Sequence, residues 1–341
     1  MNKKRVLLTG VTGFLGSHTA IQLLNKGYDV VGTLRNKDRA DSIREVIAKN
    51  TKNISNLTFV EADIVDDNLW FELAKNIDYI QHIASPFPKD MPKDENELIL
   101  PAKQGTLNIL KAASANNVKR VVLVSSVGAI IYGKTKSELN NIFNEDDWTD
   151  ITNLKDTTAY FRSKTIAEKI AWDFIKQDKS NLELTTVCPG AILGPVIDGD
   201  FGTSANIIIS LLNGSLPALP KIEFDVVDVR SVADLLIKAM EIPQAAGNRY
   251  IAVSEDLSYK KIAKILKEEY PNREIPLSEL PIFATKFLSI FKPILRPILL
   301  RTVKRKTNIS KAVKELQWQP LSAKEAIISC AKSIFENGIL K

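Results

Sequence analysis

Tyr160 and Lys164 stand four residues apart, at the start of a helical period that continues through Ala167, Ala171 and Phe174. That spacing places both side chains on one face of one helix. A free tyrosine titrates near about 10 and exchanges protons poorly at neutral pH, whereas an ammonium beside it favours the phenolate and lowers its pKa. The pair is therefore a candidate proton-transfer group. Spacing alone does not single it out, because Tyr132 and Lys136 satisfy the same pattern. Tyr132 sits in Ile131-Tyr132-Gly133-Lys134, a glycine-containing loop where a four-residue offset has no helical meaning, so catalysis is assigned to Tyr160 and Tyr132 is left as a pocket wall. Ser125 and Ser126 end the apolar run Val121 to Val124 and could orient a carbonyl oxygen. A serine pair after a strand is also an ordinary turn.

These groups need a frame. Short β-branched runs alternate with helical periodicity through the first half, which is the pattern of a parallel sheet covered on both faces. Strands are expected at Arg5 to Gly10, Asp29 to Leu34, Leu57 to Glu61, Asp78 to Ile83, Lys119 to Ser125 and Leu182 to Cys188, with helices beginning near Gly13, Asp38, Asp66, Glu95 and Thr158. Right-handed crossovers then give a doubly wound Rossmann-type α/β sheet whose crevice lies at the carboxyl ends of the strands. Ser125 and Ser126 fall on that edge.

Gly10, Gly13 and Gly16 lie between the first strand and the first helix. Glycines at this place permit the tight turn, let backbone approach a pyrophosphate and let helix pack on strand, while the helix N-terminus supplies donors and positive dipole. Where an NAD-type site carries an acidic residue after the second strand, this chain has Thr33-Leu34-Arg35, with Lys37 and Arg39 behind. A guanidinium there suits a 2′-phosphate, so NADP(H) is the expected cofactor. Asp38 opposes that reading if its loop turns it inward. Asp63, after the third strand, is either a partner of the adenine amino group or a helix N-cap.

Several classes are excluded. The chain has 341 residues, 45% of them apolar and 25% charged, enough for one large domain or two fused ones and unlike long disorder or a membrane bundle. A net charge of +6 is spread too evenly for a nucleic-acid groove. Two cysteines, Cys188 and Cys330, with no histidine near either, give neither a disulfide framework nor a metal or Cys–His site, and a reducing, cytoplasmic compartment is expected. The charged and apolar N-terminus superficially resembles a secretory signal, but glycines interrupt its apolar run. No apolar run reaches 18 residues, so no spanning helix is expected.

After Cys188 the composition turns to Pro189, Gly190, Gly194, Pro195, Gly199 and Gly202, the exit from the nucleotide domain. Phe224 to Val229 and Arg249 to Val253 read as strands extending the first sheet, around a helix from Ser231 to Ile242. The expected division is therefore 1–187 with 222–253 as the NADP-binding domain, and 188–221 with 254–341 as a smaller, mostly helical substrate-binding lid. Within the lid, 281–306 mixes Phe283, Phe287 and Phe291 with Lys286, Lys292, Arg296 and Arg301. Such a stretch could touch an anionic membrane surface or pack as a lid helix, and Pro293 and Pro297 break any long helix there.

Together these motifs resemble the extended short-chain dehydrogenase/reductase family, and within it the dihydroflavonol-reductase-like branch of aldehyde and ketone reductases. TGVTGFLG, Thr9 to Gly16, is similar to the family's phosphate loop, which adds Thr12, Phe14 and Leu15 to the cofactor contacts. Arg35 and Arg39 fall where NADPH-selective members hold the 2′-phosphate. His82-Ile83-Ala84-Ser85-Pro86-Phe87 is similar to the branch's HxASP segment beside the cofactor, and Leu123-Val124-Ser125-Ser126 to the strand whose catalytic serine would be Ser126. Tyr160-Phe161-Arg162-Ser163-Lys164 corresponds to YxxSK, and the stretch from Cys188 to Pro195 to the loop against the carboxamide, with Pro189, Gly190 and Ile192 as contacts. Asp63, Ile64 and Ser125 complete the expected cofactor set. Leu316-Gln317-Trp318 replaces the family's LGW glycine with Gln317, which puts only the local turn in doubt.

The resemblance implies hydride transfer from NADPH to a carbonyl, with Tyr160 as acid, Lys164 as its tuner and ribose anchor, and Ser126 as the orienting donor. Phe87, Tyr132, Phe161 and Phe201 would line an apolar pocket for a hydrophobic aldehyde or ketone. Two other functions share the fold: a nucleotide-sugar epimerase or dehydratase that retains NAD, and a regulator that senses NADP without chemistry. No charged constellation for a nucleotide-sugar diphosphate is evident, no metal is expected, and monomer and homodimer both stay open.

Overall fold

The structure, a computed structural model, describes residues 3–85, 94–199, 201–285 and 299–341. Seven parallel strands form its main sheet: β1 (Arg5–Thr9), β2 (Asp29–Leu34), β3 (Leu57–Glu61), β4 (Tyr79–His82), β5 (Arg120–Val124), β7 (Glu183–Pro189) and β11 (Arg249–Ala252), in the order β11-β7-β5-β4-β1-β2-β3. β6 (Ile142–Phe143) lies outside it and pairs with β14 (Lys306–Thr307). The strands run as expected because both sheet faces are covered, so successive residues are apolar. Val6 and Leu8 of β1 face one core, with α1 (Phe14–Asn25) and α7 (Val229–Glu241). Leu7 faces the other, with α3 (Asp67–Leu73), α4 (Asn96–Ala115) and α5 (Ala159–Gln177).

Chain direction across the sheet reverses between β1 and β4, and a ligand crevice forms where strand order reverses in such a sheet. Thr9 and His82, the last residues of these two strands, stand in register there.

A second core lies beyond β7. Here β8 (Ala191–Leu193), β10 (Glu223–Asp228) and β12 (Glu255–Ser258) form a three-stranded sheet in the order β12-β10-β8, with β12 antiparallel. It is covered by α6 (Asn206–Leu212), α8 (Tyr259–Glu269) and α10 (Ala323–Glu336). A pairing of β9 (Leu219–Pro220) with β13 (Glu279–Leu280) flanks it.

Two expectations change. Only Arg249–Ala252 extends the first sheet; β10 does not, because β11 occupies the edge of β7 and β8 continues from β7 after a single residue. That residue is Gly190, where a Cβ would stand 2.1 Å from the Asp225 carbonyl oxygen, so the missing side chain admits β10 beside β8. Nor does everything after Ser258 join the second core. α9 (Ser310–Leu316) and Trp318 pack into the main core, where the Trp318 indole donates to the Ser231 carbonyl at 2.9 Å.

None of the described helices is long and apolar enough to cross a membrane. Of the basic stretch 281–306, residues 286–298, with Pro293 and Pro297, lie outside the described residues.

Candidate active site

The glycine loop opens directly off β1. Gly10 has φ +73°, a left-handed conformation that suits glycine, and a Cβ at Gly16 would stand 2.0 Å from the Gly10 carbonyl oxygen. The turn therefore closes only without side chains. It presents the N-terminus of α1, which has no acidic residue in its first turn and no side-chain cap, so its leading N–H groups and positive dipole end face the crevice. Backbone donors with nothing anionic beside them are what a pyrophosphate needs, and the cradle fits a dinucleotide on this ground. Thr12, Phe14 and Leu15 belong to this turn and the helix start, with Phe14 and Leu15 buried in the main core.

Arg35 is exposed at the end of β2, and Asp38 is exposed in a short turn capped by the Asn36 side chain, so it does not point inward. Arg39 is ion-paired with Asp198, which arrives from the loop after β8. Asp63 is not a helix N-cap: its carboxylate accepts from Val65 N at 3.1 Å, and Asp66 caps α3. Ile64, Ala84 and Ser85 line a cavity at the carboxyl edge of the sheet with His82, Ser125, Lys164 and Glu168. Pro86 and Phe87, expected beside cofactor and substrate, lie outside the described residues.

The serine pair divides its work. Ser125 Oγ donates to Glu168 Oε2 at 2.6 Å, whereas Ser126 Oγ accepts from Gly128 N at 3.0 Å and is hydrogen-bonded to the Tyr160 hydroxyl. Thr158 caps α5 through Phe161 N, which starts the helix one residue before Tyr160. Burial pushes the Tyr160 phenol up to about 12, opposed by Ser126 and by the positive charge of Arg301. Lys164 is buried, and its Nζ donates to the Val124 carbonyl at 3.0 Å. Burial pulls its ammonium down to about 8, with Cys188 and Glu168 acting the other way. The expected electrostatics are thus corrected: the groups that resist burial at Tyr160 are Ser126 and Arg301, and the lysine is anchored on the end of β5.

Tyr132, the second YxxxK tyrosine, is buried and stacks on Phe161 with ring centroids 4.0 Å apart. Gly128 makes room for this stack, since a Cβ there would stand 2.4 Å from Phe161 Cδ1. Phe201 packs on the second core. Pro189 ends β7 in a buried position, Gly190 serves the β8–β10 approach, and Ile192 is half-buried against the main core.

Three features escaped the sequence reading. His82 Nδ1 lies 2.9 Å from Thr9 Oγ1, and burial followed by the charge of Lys164 lowers its pKa to about 3, so it is a neutral strut at the switch point. Glu168, wholly buried one turn after Lys164, accepts from Ser125, from Thr186 Oγ1 at 2.7 Å and from Arg249 Nε at 2.7 Å. The only signal for it was a carboxylate on the apolar face that Ala167 and Ala171 define. Arg301, Arg305, Glu223 and Asp225 line one concavity beside Tyr132, a grouping of residues far apart in sequence. Cys188 and Cys330 are buried free thiols, and among the described residues no cluster could hold a metal ion.

A parallel sheet in this order, with a side-chain-free turn at its reversal point, makes the chain a Rossmann-type α/β protein. The chain belongs to the NAD dependent epimerase/dehydratase family, whose model matches residues 6–252, in agreement with its resemblance to the extended short-chain dehydrogenases/reductases. It is 32% identical over 273 residues to a cinnamoyl-CoA reductase of Medicago truncatula, covering 80% of this chain and 82% of that protein. It is 32% identical over 297 residues to a dihydroflavonol 4-reductase of Gerbera hybrida, covering 83% of this chain and 79% of that protein. The crystal structure of yeast methylglyoxal/isovaleraldehyde reductase Gre2 complexed with NADPH superposes with a TM-score of 0.80 at 26% identity, covering 98% of this chain and 100% of that one.

Proposed function

We propose that this protein is an NADP(H)-dependent oxidoreductase that reduces the carbonyl of an aldehyde or ketone to an alcohol. The observation that carries this reading is the hydrogen bond between Ser126 and Tyr160 at the carboxyl edge of the sheet, on the same edge as the glycine cradle. The reductase names of the relatives and the NADPH in the yeast structure support it. When bound, the nicotinamide supplies the hydride. Gly10, Gly13, Gly16 and the start of α1 would hold the pyrophosphate, and Arg35 the 2′-phosphate. Ser126 orients the carbonyl oxygen, and the Tyr160 hydroxyl gives up its proton as that oxygen gains charge. Lys164, already buried at the same edge, would hold the sugar hydroxyls through its donors.

Tyr160→Phe removes the proton donor and keeps the ring. Its kcat should fall by about 10²–10⁴-fold, the usual range for general acid catalysis, while NADPH binding persists. Turnover at the level of the unaltered protein would overturn the assignment. The family's epimerase and dehydratase members define the second reading, which predicts NAD retained through purification and no net consumption of NADPH with aldehydes.

A further inference from the structure

Arg301 is held in place and, among the described residues, has no anionic partner. Its carbonyl accepts from Glu223 N at 3.0 Å, and its guanidinium lies over the Phe224 ring, 5.0 Å from the centroid. With Tyr132, Asp225 and Arg305 it lines a concavity against Tyr132, whose ring stacks on Phe161. It is close enough to Tyr160 and Tyr132 to oppose the effect of burial on both phenols. Among the described residues no carboxylate lies within ion-pair distance of it. Arg305 differs: it is ion-paired with Asp156 and donates to the Leu300 and Val303 carbonyls.

The nearby carboxyls are engaged elsewhere or held toward their neutral form. Asp225 is hydrogen-bonded to Asp256, its register partner across β10 and β12, and burial pushes both upward. Burial also raises Glu223, which Lys304 and Lys221 face. A guanidinium without a counter-ion beside an aromatic wall suits a carboxylate, which it can engage through two parallel hydrogen bonds.

We propose that Arg301 selects carbonyl substrates that carry a carboxylate at the end remote from the reacting carbon, with Tyr132 and Phe161 flanking the part that joins the two ends. This rests on the reading of Tyr160 as proton donor.

The test compares 4-formylbenzoate with its methyl ester as substrates under saturating NADPH. The acid should be preferred by about tenfold in kcat/KM, as for one charge-assisted contact. Arg301→Gln should bring the ratio to about one, whereas Lys304→Gln, an exposed neighbour, should keep it. If Arg301 only tuned Tyr160, its loss would change acid and ester rates by the same factor and leave the ratio intact, which overturns the proposal; so does a wild-type ratio of one. Calorimetry of benzoate and methyl benzoate on the NADPH-loaded protein supplies a readout independent of turnover. Benzoate should bind more tightly, and Arg301→Gln should abolish the difference. Equal binding overturns the carboxylate site, whereas preserved binding with no NADPH consumption overturns only the reductase reading beneath it.

Discussion

Replacing Glu168 by glutamine keeps the volume of a wholly buried side chain and removes its charge. Arg249 is left in the interior with two backbone acceptors, the Glu145 and Asp147 carbonyls, and the Trp148 ring 3.7 Å away, but, among the described residues, no carboxylate within ion-pair distance. Breaking a buried pair in this way costs about 3–5 kcal/mol. An unfolding entropy of about 2.1 cal/mol/K per residue makes each kcal/mol worth roughly 1.4 °C in a chain of this length, so Tm should fall by about 4–7 °C. Arg249→Met should also destabilise. The double variant Glu168→Gln/Arg249→Met should lose less than the two single losses together, by about 2 kcal/mol, because it buries no lone charge. Burial raises the Glu168 carboxyl, but Arg249, Ser125 and Thr186 outweigh it and the net shift is downward. A lowered carboxyl stabilises the fold above its unfolded pKa and loses that contribution as pH falls through its folded one, so the gap between wild type and Glu168→Gln should narrow in acid. Thermal unfolding of all four proteins decides the matter. Losses that add to within about 0.5 kcal/mol would refute the coupling.

Gln317 ends α9 with φ 50° and ψ 39°, a left-handed conformation that glycine adopts without strain. Gln317→Gly should therefore stabilise the protein by about 1 kcal/mol, read as a higher Tm. Lys164, lowered to about 8 by burial, should lose its charge within the working range, so reduction should slow above pH about 8, and Lys164→Arg should extend the plateau upward in a rate–pH profile. The same shift makes stability rise with pH between the folded value and the unfolded one near 10.5, since the unfolded chain binds that proton more tightly. Because Arg39 is already paired with Asp198, Arg35→Ser should cost more of the NADPH-over-NADH preference in kcat/KM than Arg39→Ser does.

The main sheet was legible because a strand buried on both faces is apolar at every position and stands out between glycine turns, as Val6, Leu7 and Leu8 do before Gly10. The place of β10 was not, because the run Phe224 to Val229 states that a strand is buried and not which neighbour it pairs with. The glycine loop and the YxxxK pair were legible for a related reason: their meaning depends on residues close in sequence. Arg39 and Asp198 are 159 positions apart, and Glu168 and Arg249 are 81 apart, so each pair exists only once the sheet has folded. Gln317 is an intermediate case, where the departure from glycine was visible and its backbone conformation was not.

Burial acts on the two proposed catalytic groups in opposite senses, and the result has a direction. The Tyr160 phenol, raised to about 12, stays protonated through the neutral range, which is the form needed to donate to a forming alkoxide. The reverse reaction needs the phenolate, and Ser126 and Arg301 favour that form without overcoming burial. A reductase gains from this arrangement and an alcohol dehydrogenase does not. Arg301 thereby has two effects on one substrate: a carboxylate bound to it would neutralise the charge that favours the phenolate, and so would hold Tyr160 more firmly in its donor form.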